Sequence, residues 1–155
     1  MGSYKTFISH NIQGYNGSIS AEIGSVMCSY SAINWLPLAI GPYIGTILRQ
    51  KLKFDGFVIS DYDEVQKIID QQLPTNFQIM NMTNEALSQV INSGIDMIMI
   101  PGWRGRKAVT DIITGLKEAL VNKTITQERM NDAVARIVSV KMALGLANQT
   151  KKMKY

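Results

Sequence analysis

An α/β fold built on parallel strands is what this sequence predicts, from three observations. Apolar runs in "SVMCSYS" (25–31), "GFVIS" (56–60) and "IDMIMI" (95–100) each have the length of a strand. Segments with helical spacing separate and follow them, and strand, helix, strand, helix, strand, helix is the order of right-handed βα units. The strands recur roughly every thirty to forty residues, which suits an open doubly wound sheet or part of a (βα)8 barrel. A whole barrel takes about 250 residues. With three strong strands where a whole barrel has eight, a barrel reading makes the chain less than half of one.

The elements follow in order. Residues 1–24 are polar and glycine-spaced, so an irregular or weakly helical lead-in is expected before the first strand at 25–31. "PYIGTILRQKLKF" (42–54) sets apolar residues at 44, 47, 48 and 52, a helical spacing whose basic last turn suits the macrodipole. "GFVIS" is a continuous apolar run, the pattern of a strand buried on both faces. "DEVQKIIDQQ" (63–72) reads as helix and the stretch containing Pro74 as loop. "TNEALSQVINSG" (83–94) reads as a helix with Thr83 as N-cap and Gly94 beyond its last turn.

After the third strand, "KAVTDIITGLKEALVNK" (107–123) places residues 109, 112, 113, 116 and 120 on one face. "TQERMNDAVARIVSVKMALGL" (126–146) starts at a Thr N-cap, ends at Gly145, and sets Met130, Ala133, Val134, Ile137, Val138, Lys141 and Leu144 on one stripe. The expected organisation is thus a lead-in over 1–24, an α/β unit over 25–146 and a basic tail over 147–155.

Composition narrows the function classes. At 46% hydrophobic and 18% charged, the chain has the balance of a folded soluble domain rather than a disordered one. The net charge of +4 gathers in "WRGRK" and "KKMKY", without the aromatic interleaving of a nucleic-acid surface. No apolar run is long enough for a membrane span, and "MGSYKTFISHN" lacks a signal-peptide core. A lone cysteine, Cys28, excludes an internal disulfide and a thiolate metal cluster, and its setting is that of a small buried strand residue.

In parallel α/β folds, reactive groups gather where strands end, because the loops there vary while the sheet holds their bases rigid. "SYSAIN", "SDYDE" and "PGWRGR" occupy such positions, and only "SDYDE" puts a carboxylate directly at a strand exit. Asp61 has two readings: an acid that does chemistry, or the N-cap of the next helix. Asp63 and Glu64 read as first-turn acids facing the positive helix end. His10 is the sole histidine and has no triad context; no metal-ligand spacing and no Gly-rich phosphate loop is present. Arg104 and Arg106 read as a solvated loop or an anion site. Met97 and Met99 alternate on a strand and read as core filling.

At Asp61 the residues form a recognisable signature. "ILRQKLKFDGFVISD" (47–61) resembles the active-site pattern of glycoside hydrolase family 3: an apolar pair, a basic residue, a short variable stretch, Gly, three apolar residues, Ser/Thr and Asp. "SVMCSYSAIN" is similar to the family's preceding strand, "INSGIDMIMIPG" to its next strand, and "RMNDAVARI" to the core of its barrel-closing helix. The resemblance covers about residues 25–146 and lies nearest the β-glucosidase and exo-β-glucanase branch. It implies a partial (βα)8 barrel, about strands six to eight with their helices.

It also implies hydrolysis of terminal β-D-glucosyl residues of a β-glucoside or β-glucan oligosaccharide with retention, no cofactor, Asp61 as nucleophile, Tyr62 packing on the sugar and Tyr30 lining the same pocket. Family members are often secreted or vacuolar/lysosomal. Some positions depart from the pattern. Glu64 stands where a small or short polar residue is usual, crowding or recharging the loop. Trp35 replaces the glycine that usually follows Asn34, so a tight turn there is costly. The upstream strands with their Lys-His pair and the acid/base carboxylate have no counterpart. The expectation is a fragment carrying the nucleophile, inactive in isolation and prone to self-association through uncovered edges. Rival readings are a non-catalytic α/β remnant or interaction module with Asp61 as helix N-cap, and a different (βα)8 enzyme with a phosphate pocket.

Overall fold

The computed structural model describes residues 10, 12–70 and 84–146. In chain order the elements are α1 (Ile12–Ser20), β1 (Ser25–Met27), β2 (Ala32–Ile33), β3 (Leu36–Pro37), α2 (Ile44–Lys51), β4 (Phe57–Ile59), α3 (Glu64–Ile69), α4 (Asn84–Ser93), α5 (Gly105–Val121) and α6 (Gln127–Ala143). The expected Thr83 cap, the Pro74 loop, the end of the 63–72 helix and the basic tail lie outside the described residues. The lead-in holds a regular helix, α1, with Ile12 buried and Tyr15 and Ile19 packed on the core. Gly14 and Gly17 between these contacts obscured that period in the sequence.

β1 and β4 pair in parallel, with Val26 opposite Val58, and the third strand meets β4 through a single parallel bridge, Ile59 to Met97. Three consecutive parallel segments with helices between them form one arc of a barrel wall. The third strand is much shorter than expected. Asp96 and Met97 both donate to the Val58 carbonyl, and the Met99 amide is taken by the Ser60 hydroxyl at 2.9 Å, so a side chain ends the ladder. The first strand also stops early, at Met27, although the Cys28 amide still donates to the Ile59 carbonyl.

One strand face is buried. Val26, Cys28 and Val58 join Ile44, Leu48, Val65, Leu87 and Val90 in the main core cluster. The opposite face is not covered: Met27 is exposed, and Phe57, Ile59, Met97 and Met99 are half-buried. The expectation of strands buried on both faces, with methionines as core filling, therefore fails for this chain. That face looks into a barrel interior that this arc does not close.

The helices divide the same way. α2 buries Ile44, Ile47 and Leu48 as expected but winds as a π-helix, its end marked by the Leu52 amide on the Ile47 carbonyl at 2.8 Å. α6 begins as expected, with the Thr126 hydroxyl accepting the Arg129 amide at 3.1 Å. Gly94 and Gly145 follow α4 and α6 with φ of 116° and 69°. The buried faces of the last two helices differ from the expected stripes. α5 buries Ile112, Gly115 and Ala119 while Val109 and Ile113 are exposed. α6 buries Ala133 and half-buries Met130 and Ile137 as expected, but it also turns Arg129, Arg136 and Val140 inward and leaves Val134, Val138, Lys141 and Leu144 outside.

Charge explains the turn of α6. The Asp96 side chain is 0% exposed. One of its oxygens accepts Arg49 at 2.6 Å and the Val58 amide at 2.8 Å; the other accepts Arg129 at 2.8 Å. Arg49 also donates to the Phe54 and Gly56 carbonyls, and Arg129 to those of Ile91 and Ile95. Facing Arg129 toward this centre fixes which side of α6 lies inward.

The "AINWLP" stretch forms a two-residue hairpin, with Ala32 opposite Pro37 and Ile33 opposite Leu36. Asn34 and Trp35 both take positive φ, 50° and 70°. That is the turn for which Asn-Gly is preferred. Trp35 adopts it without the glycine and stands 61% exposed.

Two outcomes follow from these contacts. Trp35→Gly relieves the left-handed strain and loses little burial, so urea unfolding should show a gain of about 0.5–1 kcal/mol after glycine's entropy is subtracted. Asp96→Ala strands two half-buried guanidinium groups and should cost about 3 kcal/mol, seen as a lowered urea midpoint.

Candidate active site

β4 runs out through Ser60, which is fully buried and linked to the third strand through Met99. Asp61 is therefore set on the rigid part of the arc. Its carboxylate is half-buried. Oδ1 accepts the Tyr62 amide at 2.6 Å and Oδ2 accepts the Tyr30 amide at 3.2 Å. Because Tyr30 follows β1, the carboxylate ties together the exits of two neighbouring strands. Tyr62 is 52% exposed and Tyr30 is 38% exposed, and the Lys67 ammonium sits 4.8 Å from the centre of the Tyr30 ring. The structure thus brings together all three sequence-selected residues at one end of the sheet.

The capping alternative meets a different geometry. The N-cap position of α3 belongs to Asp63, at φ 62°, and its side chain makes no capping bond. The Glu64 amide donates to the backbone carbonyl of Asp61 at 3.3 Å. The Asp61 carboxylate accordingly serves amides outside α3.

Asp63 is spent elsewhere. It is buried, and the Arg104 guanidinium grips both of its oxygens at 2.8 and 2.7 Å, with Asp70 a further partner at 3.5 Å. Arg104 also lies 4.6 Å from the centre of the Trp103 ring. The reading of Asp63 as a simple dipole-facing acid is corrected, and Arg104 is engaged by carboxylates rather than open to an anion. Arg106 is exposed.

Glu64 is the acid whose environment the sequence did not disclose. It is 1% exposed, and its Oε2 accepts the Asp61 amide at 3.1 Å. Burial pushes its carboxyl up to about 7; the Asp61 amide opposes that rise, and the Asp61 charge adds to it. The D-x-x-E spacing of Asp61 and Glu64 is the signal that could have revealed the contact, since it is that of a capping box.

A cavity of about 220 Å³ opens on the helix-facing side of the strands, lined by Tyr15, Val26, Cys28, Leu38, Ile44 and Val58 among others. It is mainly apolar and does not include Asp61. Its thiol, Cys28, is buried and has its pKa raised, first by burial and then by the charges of Glu64 and Asp61, so it offers no ready nucleophile. Among the described residues no cluster of His, Cys, Asp and Glu could hold a metal, and no helix is long and apolar enough to cross a membrane.

Residues 2–140 match the glycosyl hydrolase family 3 N-terminal domain, and the chain belongs to that family. It is 28% identical over 127 residues to the lysosomal beta glucosidase of Dictyostelium discoideum, covering 81% of this chain and 14% of that protein. It is 32% identical to beta-glucosidase 2 of Saccharomycopsis fibuligera, covering 79% of this chain and 12% of that protein. Among solved structures, a mutant of the exo-1,3/1,4-beta-glucanase of a Pseudoalteromonas species is similar at 26% identity and a TM-score of 0.71. That match covers 90% of this chain and 20% of the other. The chain therefore spans a small part of the length of its relatives, and its fold is a partial α/β barrel of a family of glycoside hydrolases.

Glu64 gives the fold a pH dependence of defined sign. Its folded-state pKa is raised from 4.5 to about 7. The associated stability is fully present below the unfolded value and is lost as pH rises through the folded one. Thermal unfolding should thus show stability declining from about pH 4.5 to above 7, by up to about 3 kcal/mol at roughly 1.4 kcal/mol per pKa unit. Glu64→Gln should remove that slope.

Proposed function

We propose that this chain is a segment of a retaining β-glucosidase-type hydrolase, with Asp61 as the nucleophile that attacks the anomeric carbon of a terminal β-D-glucosyl residue. The observation that carries this reading is the carboxylate at the β4 exit, partly open and held by amides from two strand exits. Such anchoring gives a nucleophile a fixed direction of attack. Tyr62 and Tyr30 present exposed rings beside it, and apolar ring faces suit the C–H surface of a sugar.

Retention also requires a second carboxyl about 5–5.5 Å away to protonate the leaving oxygen. Glu64 does not suit that task, being buried with Oε2 committed to the Asp61 amide. The acid, like the upstream strands, is expected from outside this chain, as the family resemblance implies.

Two measurements test the assignment. The 155-residue chain should give negligible turnover of an aryl β-glucoside; robust hydrolysis that Asp61→Ala abolishes would show the site to be complete. In a longer polypeptide that includes this sequence, a 2-fluoroglucosyl label should be found by mass spectrometry on Asp61. A label on any other residue refutes the nucleophile role.

The uncovered surfaces support a further property, self-association of the isolated chain. Met27, Val109, Ile113, Val134, Val138 and Met142 are exposed apolar side chains, and β1 is paired along one edge among the described residues. Size-exclusion chromatography should show a concentration-dependent oligomer; a monomer at all concentrations sinks this part.

A further inference from the structure

Glu64 departs from the family signature, is buried directly behind the proposed nucleophile, and has no part in the chemistry assigned above. In a capping box the first residue's side chain bonds the amide three residues on, while the later acid bonds back to the first amide. Here only the second half exists. The Glu64 carboxylate takes the Asp61 amide at 3.1 Å, while the Glu64 amide is taken by the Asp61 backbone carbonyl. The Asp61 carboxylate is thereby relieved of capping and is left to the amides of Tyr30 and Tyr62.

We propose that Glu64 is a positioning residue for Asp61, holding the nucleophile's backbone so that its carboxylate bridges the two strand exits. This deepens the nucleophile reading and rests on it for its link to catalysis. Two groups reach Glu64 electrostatically: the Asp61 carboxylate on the same loop and the Cys28 thiol from beyond β1. Its neighbour Asp63 is engaged by Arg104, and among the described residues Glu64 itself has no ion-pair partner. An ionised carboxylate only accepts, so it fixes the Asp61 amide, whereas the protonated acid can turn its hydroxyl and loosen that grip. The ordered arrangement therefore belongs to the higher-pH form, and proton uptake from solvent in the neutral range weakens it.

The test follows the Asp61 amide by NMR in the full 155-residue chain. Its 15N–1H resonance should move with an inflection near pH 7, the value to which Glu64 is raised, and Glu64→Gln should lose that inflection. The Glu64 side-chain 13C shift in the unmodified chain gives the same midpoint without any substitution. A flat amide profile, or an inflection retained in Glu64→Gln, overturns the assignment. In the longer polypeptide, the rate of 2-fluoroglucosyl labelling at Asp61 should rise through the same pH and lose that limb in Glu64→Gln. A label elsewhere refutes the nucleophile and leaves the amide titration standing, so the two failures are distinguishable.

Discussion

A single buried carboxylate organises this fold. Asp96 has no contact with solvent, so its charge is tolerable only with its lone pairs filled, and Arg49, Arg129 and the Val58 amide fill them. The partners come from α2, α6 and β4, and the two arginines reach on to carbonyls around Phe54, Gly56, Ile91 and Ile95. The strand register, the direction of α6 and the approach of α2 thus share one electrostatic centre. Three motif residues prominent in the sequence resemblance, the basic residue before the active-site strand, the acid of "GIDM" and the arginine of the last helix, therefore hold the frame.

The frame matters because it fixes the strand ends. Ser60 is locked to the third strand and Asp61 emerges one residue later, with amides from two exits on its oxygens. Neighbouring acids with similar local sequence are put to unlike uses: Asp63 binds Arg104, Glu64 holds a backbone amide, and Asp61 stays partly open. What separates them is burial and partner rather than residue type.

The uncovered surfaces record what an arc lacks. A barrel strand has one face toward helices and one toward the interior; here the helix side is packed and the other holds half-buried Phe57, Ile59, Met97 and Met99. The outer stripes of α5 and α6 are likewise apolar and exposed. Their composition fits a chain that spans only a minor part of the length of its relatives.

By itself the sequence determined the order of the three parallel segments and of the helices that follow them, the Thr126 cap, the turn glycines and the placing of Asp61, Tyr62 and Tyr30 at strand exits, because each is written in local spacing or in a contiguous motif. Tertiary structure decided the rest. How α6 is turned depends on Arg129 meeting Asp96, 33 residues away, and apolar spacing alone favoured a stripe that also took in the exposed Val134, Val138 and Leu144. Strand length depended on a serine hydroxyl replacing a ladder carbonyl, and the residue at the N-cap position of α3 on a left-handed Asp63 held by Arg104. Such outcomes turn on whether a charge or an amide finds its partner across the fold, and a linear pattern carries no measure of that distance.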